Sequence, residues 1–232
     1  MKRKLLGIGC CILLYLFLLF GVSGTLSPLS SSVFALADGE DAGKYVFLTF
    51  DDGPSDSTTP RVLDILKDEG VPATFFVIGR QAERRDYLLK RILQEGHTLG
   101  IHTYSHEYDK IYASTDALLE DIKKCSDVLE KTVGVKTDLY RFPGGSFSVR
   151  PQYLKAVREA GYRYVDWNAC TRDGELLRAT PERLYREAVK TTGEKRYVIL
   201  LMHDQAHRDA TVASLRDIIR FYKEKNYRFG TL

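Results

Sequence analysis

The stretch Leu48-Thr49-Phe50-Asp51-Asp52-Gly53-Pro54-Ser55 places two adjacent carboxylates directly after a short apolar run. That run begins at Tyr45 and is typical of a buried β-strand, so both carboxylates should lie at the strand's C-terminal end. Two like charges this close oppose joint ionisation, and a bound cation removes that cost. Taken alone, Asp-Asp-Gly-Pro is also an ordinary turn sequence. The stretch therefore predicts either a plain turn or one part of a cation site.

A pair of histidines further along the chain favours the cation site. His102 and His106 stand in an H-x3-H spacing, which lets both imidazoles reach one metal ion. With Asp52 they make three ligands and leave coordination positions open for water, the pattern of a catalytic rather than a structural zinc site. Asp51 is then free to act as a base on that water. We predict one divalent ion on Asp52, His102 and His106, with Zn²⁺ as first choice and Co²⁺ or Mn²⁺ as alternatives.

Apolar runs and helix-type segments alternate from residue 45 to the C-terminus. Helix starts are marked by Thr59-Pro60, Pro151 and Thr180-Pro181. This alternation predicts an α/β fold with a parallel sheet wrapped by helices. The chemically distinctive residues fall at strand ends, where α/β barrels carry their active sites. We expect a distorted or incomplete barrel of about seven parallel strands, preceded by an N-terminal hydrophobic helix. The predicted strands are 45–50, 73–78, 97–101, 139–142, 162–168, 197–202 and 227–231.

The N-terminal segment has the composition of an export leader. The three residues after Met1 are basic, residues 5–22 are almost continuously apolar, and no acidic residue precedes Asp38. Cleavage after Ala37 and retention as a membrane anchor both stay open, because the apolar stretch is long for a signal peptide. The basic start predicts that the rest of the chain lies outside the cytoplasm, secreted or anchored to the outer face of the cell membrane. We predict a signal peptide or anchor with a Ser-rich linker over residues 1–37 and a catalytic domain over residues 38–232.

Composition argues against a nucleic-acid partner. The formal net charge is +3, from 34 basic and 31 acidic residues. Three of the basic residues lie in the first four positions, which leaves 31 basic residues against 31 acidic ones. A balanced domain gives no basic surface for nucleic acid. Cys125 and Cys170 are the only cysteines of the domain, and an exported protein could oxidise them, although their spacing does not establish a disulfide. We expect a monomer.

Five segments resemble the signature motifs of the polysaccharide deacetylases (carbohydrate esterase family 4). The first two are the Asp51-Asp52 and the His102–His106 segments. The third is Arg141-Phe142-Pro143-Gly144-Gly145, the fourth is 166–174 and the fifth is 199–203. The resemblance covers essentially residues 44–232. It implies the incomplete barrel and a metal-dependent hydrolase that removes N-acetyl groups from a glycan.

The resemblance also implies roles for the remaining site residues. Arg141 would pair with the base Asp51, and the Gly144 backbone N–H would help to hold the oxyanion. The family commonly has an aromatic residue where Gly144 stands, so one wall of the sugar site would be missing here. His203 would be the general acid that protonates the leaving amine. Leu201 points the same way as His203 and would line the pocket for the acetyl methyl group.

The fourth segment leaves one assignment open. We assign Asp173 as the carboxylate that orients His203, although Gly174 stands where the family has a Trp after this Asp. Asp166 is the competing choice, because it precedes Trp167. Trp167 itself lies on a predicted buried strand, which favours a core position over a sugar platform.

The export leader together with the resemblance implies a cell-surface glycan substrate. The first choice is the N-acetylglucosamine of peptidoglycan, with release of acetate, followed by chitin-like oligomers and acetyl esters. A carbohydrate-binding protein that has lost catalysis is an alternative, suggested by Gly144 and Gly174. A hydrolase of small cyclic amides is another, disfavoured because such substrates are mostly cytosolic.

Overall fold

A computed structural model of the chain describes residues 43–176 and 178–232. The predicted leader, residues 1–37, lies outside the described residues, and so do its cleavage after Ala37 and its anchoring role. Within the described part of the chain, no helix is both long enough and apolar enough to cross a membrane.

Strands and helices alternate along the described residues. The strands are β1 (Lys44–Asp51), β2 (Thr74–Val77), β3 (Thr98–Ile101), β4 (Leu139–Tyr140), β5 (Arg163–Tyr164), β6 (Ala169–Cys170), β7 (Tyr197–His203) and β8 (Tyr227–Gly230). The helices are α1 (Thr59–Glu69), α2 (Gly79–Ala82), α3 (Asp86–Gln94), α4 (Tyr108–Ile111), α5 (Thr115–Val133), α6 (Pro151–Glu159), α7 (Pro181–Thr192) and α8 (Asp209–Glu224).

Local sequence signals set the ends of the longer helices. Helix α1 has Pro60 in its first turn and stops at Gly70, whose left-handed backbone (φ 64°) donates to the Lys67 carbonyl. Helix α5 is capped by Ser114, whose hydroxyl accepts from the Ala117 N–H at 3.1 Å. The short helices α2 and α4 were not predicted, because four residues are too few to show an apolar period.

The sheet is parallel in all of its described strand pairings. The strands follow the order β5-β4-β3-β2-β1-β7-β6, and β8 pairs with the first half of β1. Parallel neighbours need crossover connections, and the helices supply them. The predicted incomplete barrel of about seven parallel strands is therefore confirmed, with seven strands in this order and β8 beside β1.

The sheet has to curl, because its two edges are joined by a short link. Strands β5 and β6 lie at opposite ends of the strand order, yet only residues 165–168 separate them. A flat sheet would hold those edges about 28 Å apart, whereas the link spans at most about 18 Å. The curled sheet leaves a gap that the link crosses. The predicted continuous strand over 162–168 is wrong for this reason.

The two faces of the sheet carry different clusters. The larger apolar core lies between sheet and helices and includes the fully buried β1 residues Val46, Leu48 and Phe50. A smaller cluster contains Phe76, Leu139 and Val165. The guanidinium of Arg141 lies over the Phe76 ring at 4.1 Å, so this smaller cluster is an apolar floor beneath polar groups.

The two cysteines of the domain are free thiols. Cys125 is fully buried on α5, and its Sγ lies 3.5 Å from the Val77 carbonyl oxygen. Burial raises the pKa of this thiol, which makes it a poor nucleophile. Cys170 is half-buried at the end of β6, and no disulfide joins the two.

Candidate active site

Four strands deliver polar side chains to one end of the barrel. Strand β1 ends at Asp51 and β7 at His203, and the parallel register places these two residues opposite each other. His102 directly follows β3, and Arg141 directly follows β4, where its N–H donates to the Ile101 carbonyl at 2.9 Å. The C-terminal ends of parallel strands share one edge, so residues far apart in sequence meet there.

The three predicted metal ligands converge. Asp52 Oδ1 lies 3.4 Å from His102 Nε2 and 3.3 Å from His106 Nε2. Ligands at the usual zinc distances in a tetrahedron lie about 3.3 Å apart. Asp52 Oδ1 is also buried without a hydrogen-bond partner. The donor set therefore fits one divalent ion.

Groups outside this cluster orient two of its members. His102 Nδ1 lies 2.9 Å from the Arg141 carbonyl oxygen and donates to it, which leaves the Nε2 lone pair directed at the cluster. The Gln205 amide, oriented to satisfy both of its neighbours, donates to Asp52 Oδ2 at 2.8 Å and accepts from Arg208 Nη2 at 2.7 Å. Metal ligands are commonly held by such outer contacts.

The backbone around the cluster adopts an uncommon conformation. Asp52, Thr103 and His106 have φ values of 72°, 75° and 57°. A left-handed conformation costs a residue with a Cβ about 1–2 kcal/mol. Such residues concentrate at ligand sites, where the surrounding structure holds them in place. Here the Thr103 hydroxyl accepts from the His106 N–H at 3.1 Å and helps to fix the loop.

The charges of the carboxylates and imidazoles in this cluster shift one another's pKa values. Burial would raise the pKa of Asp52, but the adjacent imidazole of His102 and its charge hold the pKa well below its ordinary range. Burial would lower the pKa of His102, yet the charges of Asp51 and Asp52 raise it. The same negative potential would attract a divalent cation.

Asp51 is held by a buried arginine. Its Oδ1 accepts from Arg141 Nη1 at 3.0 Å, and its Oδ2 lies 3.9 Å from His102 Nε2. Arg141 is fully buried and also donates to Thr49 Oγ1 at 2.7 Å and to the Val165 carbonyl at 3.1 Å. One oxygen of Asp51 is thus fixed while the other faces the candidate metal ligands.

His203 pairs with Asp173 and not with Asp166. Asp173 Oδ1 lies 2.7 Å from His203 Nδ1, while Oδ2 accepts from the His203 N–H and from Thr211 Oγ1, both at 2.8 Å. Burial alone would lower the pKa of His203, but the hydrogen bond and charge of Asp173 raise it to about 9. The imidazole is therefore protonated at neutral pH, as a proton donor requires.

Asp166 binds Ser146 instead of His203. It accepts from both the N–H (2.8 Å) and the hydroxyl of Ser146 and so fixes the loop that follows Gly145. The neighbouring Trp167 is half-buried at the rim, with the Phe147 ring edge-on at 5.7 Å. The predicted core position of Trp167 is wrong, because residues 165–168 cross the gap in the barrel.

The two glycines that depart from the family pattern both have close neighbours. Gly144 is exposed with φ 73°, and a Cβ there would lie 3.3 Å from the Tyr108 hydroxyl. A Cβ at Gly174 would lie 2.7 Å from Cε1 of His203, so any side chain would displace that imidazole. Leu201 is buried on the same strand face as His203.

Sequence reasoning missed the residues that support the site from the segment after β7. Asp204 is almost fully buried, and its Oδ2 accepts from Thr59 Oγ1 at 2.6 Å. Burial raises the pKa of Asp204 to about 7. Arg208 donates to the Asp173 carbonyl at 2.8 Å and so joins Asp173, through Gln205, to Asp52. The only available signal was that this polar segment directly follows His203.

Known proteins resemble this chain in sequence and in fold. Residues 38–165 match the sequence profile of the polysaccharide deacetylase family. A peptidoglycan-N-acetylglucosamine deacetylase of Bacillus cereus is 37% identical over 190 residues, which cover 82% of this chain and 86% of the relative. A Streptococcus mutans CE4 esterase superposes with a TM-score of 0.79 at 32% identity, covering 88% of this chain and 90% of the other. A CE4 family pseudoenzyme of Bacillus anthracis has a TM-score of 0.72 at 27% identity, covering 82% of this chain and 64% of the other.

Proposed function

This chain belongs to the polysaccharide deacetylase family, and from that premise we propose that it removes N-acetyl groups from the N-acetylglucosamine units of peptidoglycan and releases acetate. The observation that carries the proposal is the meeting of Asp51, the metal-ligand cluster and His203 at one barrel end. Similarity to a peptidoglycan-N-acetylglucosamine deacetylase supports the choice of glycan.

Asp52, His102 and His106 would hold one divalent ion, with Zn²⁺ as first choice because the donor spacing suits it and with Co²⁺ or Mn²⁺ as alternatives. When bound, the ion supplies a Lewis acid that polarises a carbonyl oxygen and makes water more acidic. Every other contribution comes from side chains and backbone groups of this chain.

Asp51 is the proposed general base. It takes a proton from the water whose oxygen attacks the acetyl carbonyl carbon. The buried Arg141 holds one carboxylate oxygen at 3.0 Å, which aims the other at the cluster. Asp51 would therefore meet the water in a fixed orientation.

Gly144, Leu201 and His203 would act on the acyl group and the leaving nitrogen. The Gly144 N–H would donate to the oxygen that gains negative charge, and Leu201 would line the space for the acetyl methyl group. His203, protonated because Asp173 faces it, would give its proton to the nitrogen as the C–N bond breaks. Acetate and a free amine are the products.

The enzyme would work outside the cytoplasm as a monomer. The basic and apolar composition of the first 22 residues supports export, followed by secretion or by anchoring to the outer face of the membrane. An enzyme outside the cytoplasm would have access to a cell-wall glycan.

Acetate release from purified peptidoglycan and from chitin oligomers tests the proposal. The enzyme stripped by a chelator should be inactive, and zinc should restore release from peptidoglycan. Release from chitin oligomers but not from peptidoglycan would move the substrate to chitin-like glycans. Glycan binding without acetate release from either would contradict catalysis and favour a binding protein of the same fold.

A further inference from the structure

A cavity of about 300 Å³ opens beside the candidate active site. We call it the tyrosine cavity, because Tyr108, Tyr112 and Tyr153 line it together with Gly144 and Arg150. It adjoins the site through two of these residues. The Tyr108 ring meets His106 edge-on at 5.5 Å, and Gly144 is the proposed oxyanion donor.

Three tyrosine rings in contact with one another line the cavity. Tyr108 lies 6.0 Å from Tyr112, and Tyr112 meets Tyr153 edge-on at 5.4 Å. The Tyr153 hydroxyl donates to the Tyr112 backbone carbonyl at 2.6 Å, which fixes the Tyr153 ring. Mostly apolar walls with a few placed polar groups are typical of pockets for small ligands, and a cavity of this size suits a single sugar ring.

Tyr108 also stands where a side chain at position 144 would point. A Cβ built on Gly144 comes 3.3 Å from the Tyr108 hydroxyl. Tyr108, which lies on α4, thus forms the aromatic wall that a side chain at position 144 would otherwise provide. Gly144 itself lines the cavity and adds no side chain to it.

Arg150 gives the cavity its charge. It is exposed, and among residues 43–176 and 178–232 no carboxylate forms an ion pair with it. Some other exposed arginines, such as Arg61 and Arg216, are paired with aspartates. An arginine fork without a protein partner suits a ligand carboxylate, which it can bind through two parallel hydrogen bonds.

We propose that the tyrosine cavity is a second glycan subsite, which takes the sugar next to the reacting unit when that sugar carries a carboxylate, with Arg150 as the group that binds it. The inference rests on the proposed function, because it assumes a glycan in the active site. In peptidoglycan every second sugar carries a lactyl ether, whose carboxylate is free or is extended by a peptide that has carboxylates of its own. Chitin carries none. The subsite would therefore favour peptidoglycan over a neutral polymer.

Overall charge does not provide this preference. Apart from the first four residues, the chain has equal numbers of acidic and basic residues, so long-range attraction of an anionic glycan is weak. Recognition of the carboxylate has to be local. This makes Arg150 the residue to change.

Kinetics of Arg150→Gln test the proposal, with Arg183→Gln as a matched control. Arg183 is also exposed without an ion pair, but it lies on α7 and does not line the cavity. The substrates are chitotetraose, peptidoglycan strands stripped of peptide, and strands that keep their peptides. Arg150→Gln should raise KM about tenfold on an anionic substrate and leave kcat unchanged, because a charge-assisted contact made equally in ground and transition states is lost. Arg150→Lys should lie between wild type and Arg150→Gln.

The pattern across substrates identifies the carboxylate. An effect on stripped strands assigns the lactyl carboxylate, and an effect only on peptide-bearing strands assigns the peptide. An equal rise in KM on chitotetraose, or no rise on either anionic substrate, would overturn the subsite. Acetate release from chitotetraose by the wild type reports on the proposed function independently of Arg150.

A binding measurement tests the role of Arg150 even if the enzyme releases no acetate. Calorimetry with the disaccharide of N-acetylglucosamine and N-acetylmuramic acid should show binding to the wild type and to Arg183→Gln, and about tenfold weaker binding to Arg150→Gln. Equal affinity of all three proteins for this disaccharide would exclude the lactyl carboxylate as the partner of Arg150, and equal affinity for its peptide-bearing form as well would refute the role of Arg150.

Discussion

At the scale of single residues, two neighbouring aspartates have different surroundings and so different chemistry. Asp51 lies against a buried arginine, whereas Asp52 has one buried oxygen that faces two imidazoles and no hydrogen-bond donor of the protein. A carboxylate fixed by a cation suits a base, and an unpartnered buried carboxylate oxygen suits a metal ligand.

The first prediction separates these two roles. Asp51→Asn should keep one zinc per chain but lose about 10²–10⁴-fold in rate of acetate release, because only the base is removed. Metal analysis and acetate release on the same preparations measure both quantities. Asp52→Asn is the matched variant and should lose metal. If Asp51→Asn loses zinc while Asp52→Asn keeps both zinc and activity, the roles are reversed.

The second prediction concerns pH and the pair of Asp173 with His203. His203 must be protonated to donate, and its pKa of about 9 means that activity should fall as the pH rises through that value. Asp173→Asn removes the carboxylate that raises the pKa, so the alkaline limb should move to lower pH, and kcat should fall more than KM rises. A pH–rate profile measures this shift.

Asp166→Asn is the control for that profile. Asp166 binds Ser146 and not His203, so its removal should leave the alkaline limb in place. A limb that moves in Asp166→Asn and stays fixed in Asp173→Asn would assign the orienting role to Asp166.

At the scale of elements, the helices hold the strand ends in position. The longest described helix, α5, places Asp121, whose Oδ1 accepts from the Tyr104 N–H in the loop between His102 and His106. Helix α1 likewise places Thr59 against Asp204. Stable helix starts therefore support the geometry of the active site.

The third prediction tests the N-cap of α5. Ser114→Ala should lower the free energy of unfolding by about 1 kcal/mol, because the Ala117 N–H loses its acceptor. Thermal unfolding should show a midpoint about 2–4 °C lower for a chain of this size. Ser114→Asp keeps a capping oxygen and should restore the midpoint. An unchanged midpoint in Ser114→Ala would show that this cap contributes nothing to stability.

At the scale of the whole molecule, the curled sheet decides which residues meet. Its two edges face each other across the gap bridged by residues 165–168. Arg141 donates to the Val165 carbonyl beside this gap and to Asp51 on the central strand. One buried arginine thus connects the edge of the barrel to its active centre.

The fourth prediction concerns metal and global stability. The ligands lie directly after β1 and in the loop after β3, so a bound ion should stabilise the folded state as a whole. Zinc at about a hundred times its Kd adds about 2.7 kcal/mol, which raises the unfolding midpoint by about 5–10 °C. Removal of metal with a chelator should reverse the shift.

Histidine variants provide the control for this stabilisation. His102→Ala and His106→Ala should unfold at the same temperature with and without zinc, whereas His207→Ala, exposed and outside the cluster, should behave like the wild type. A full zinc-dependent shift in His102→Ala and His106→Ala would rule out this ligand set.

The sequence by itself determined the alternation of strands and helices and the family of the chain. These features are local: an apolar run such as 45–50, a proline in a first helical turn and a glycine at a helix end act over a few neighbouring residues. The candidate ligands and the general acid could also be chosen, because strand ends are visible in the sequence and parallel strands share one edge.

Only the tertiary structure decided the contacts that depend on the curl of the sheet. Segment 162–168 contains one edge strand and the link to the other edge, and Trp167 therefore lies at the rim. His203 pairs with Asp173, whereas Asp166 binds Ser146. The tertiary structure also joined Asp52 to Asp173 through Gln205 and Arg208, and placed Tyr108 beside Gly144. No periodicity or spacing in the sequence indicates these contacts. Each joins residues that meet only because the sheet curls, and the sheet has to curl because a link of four residues joins its two edges.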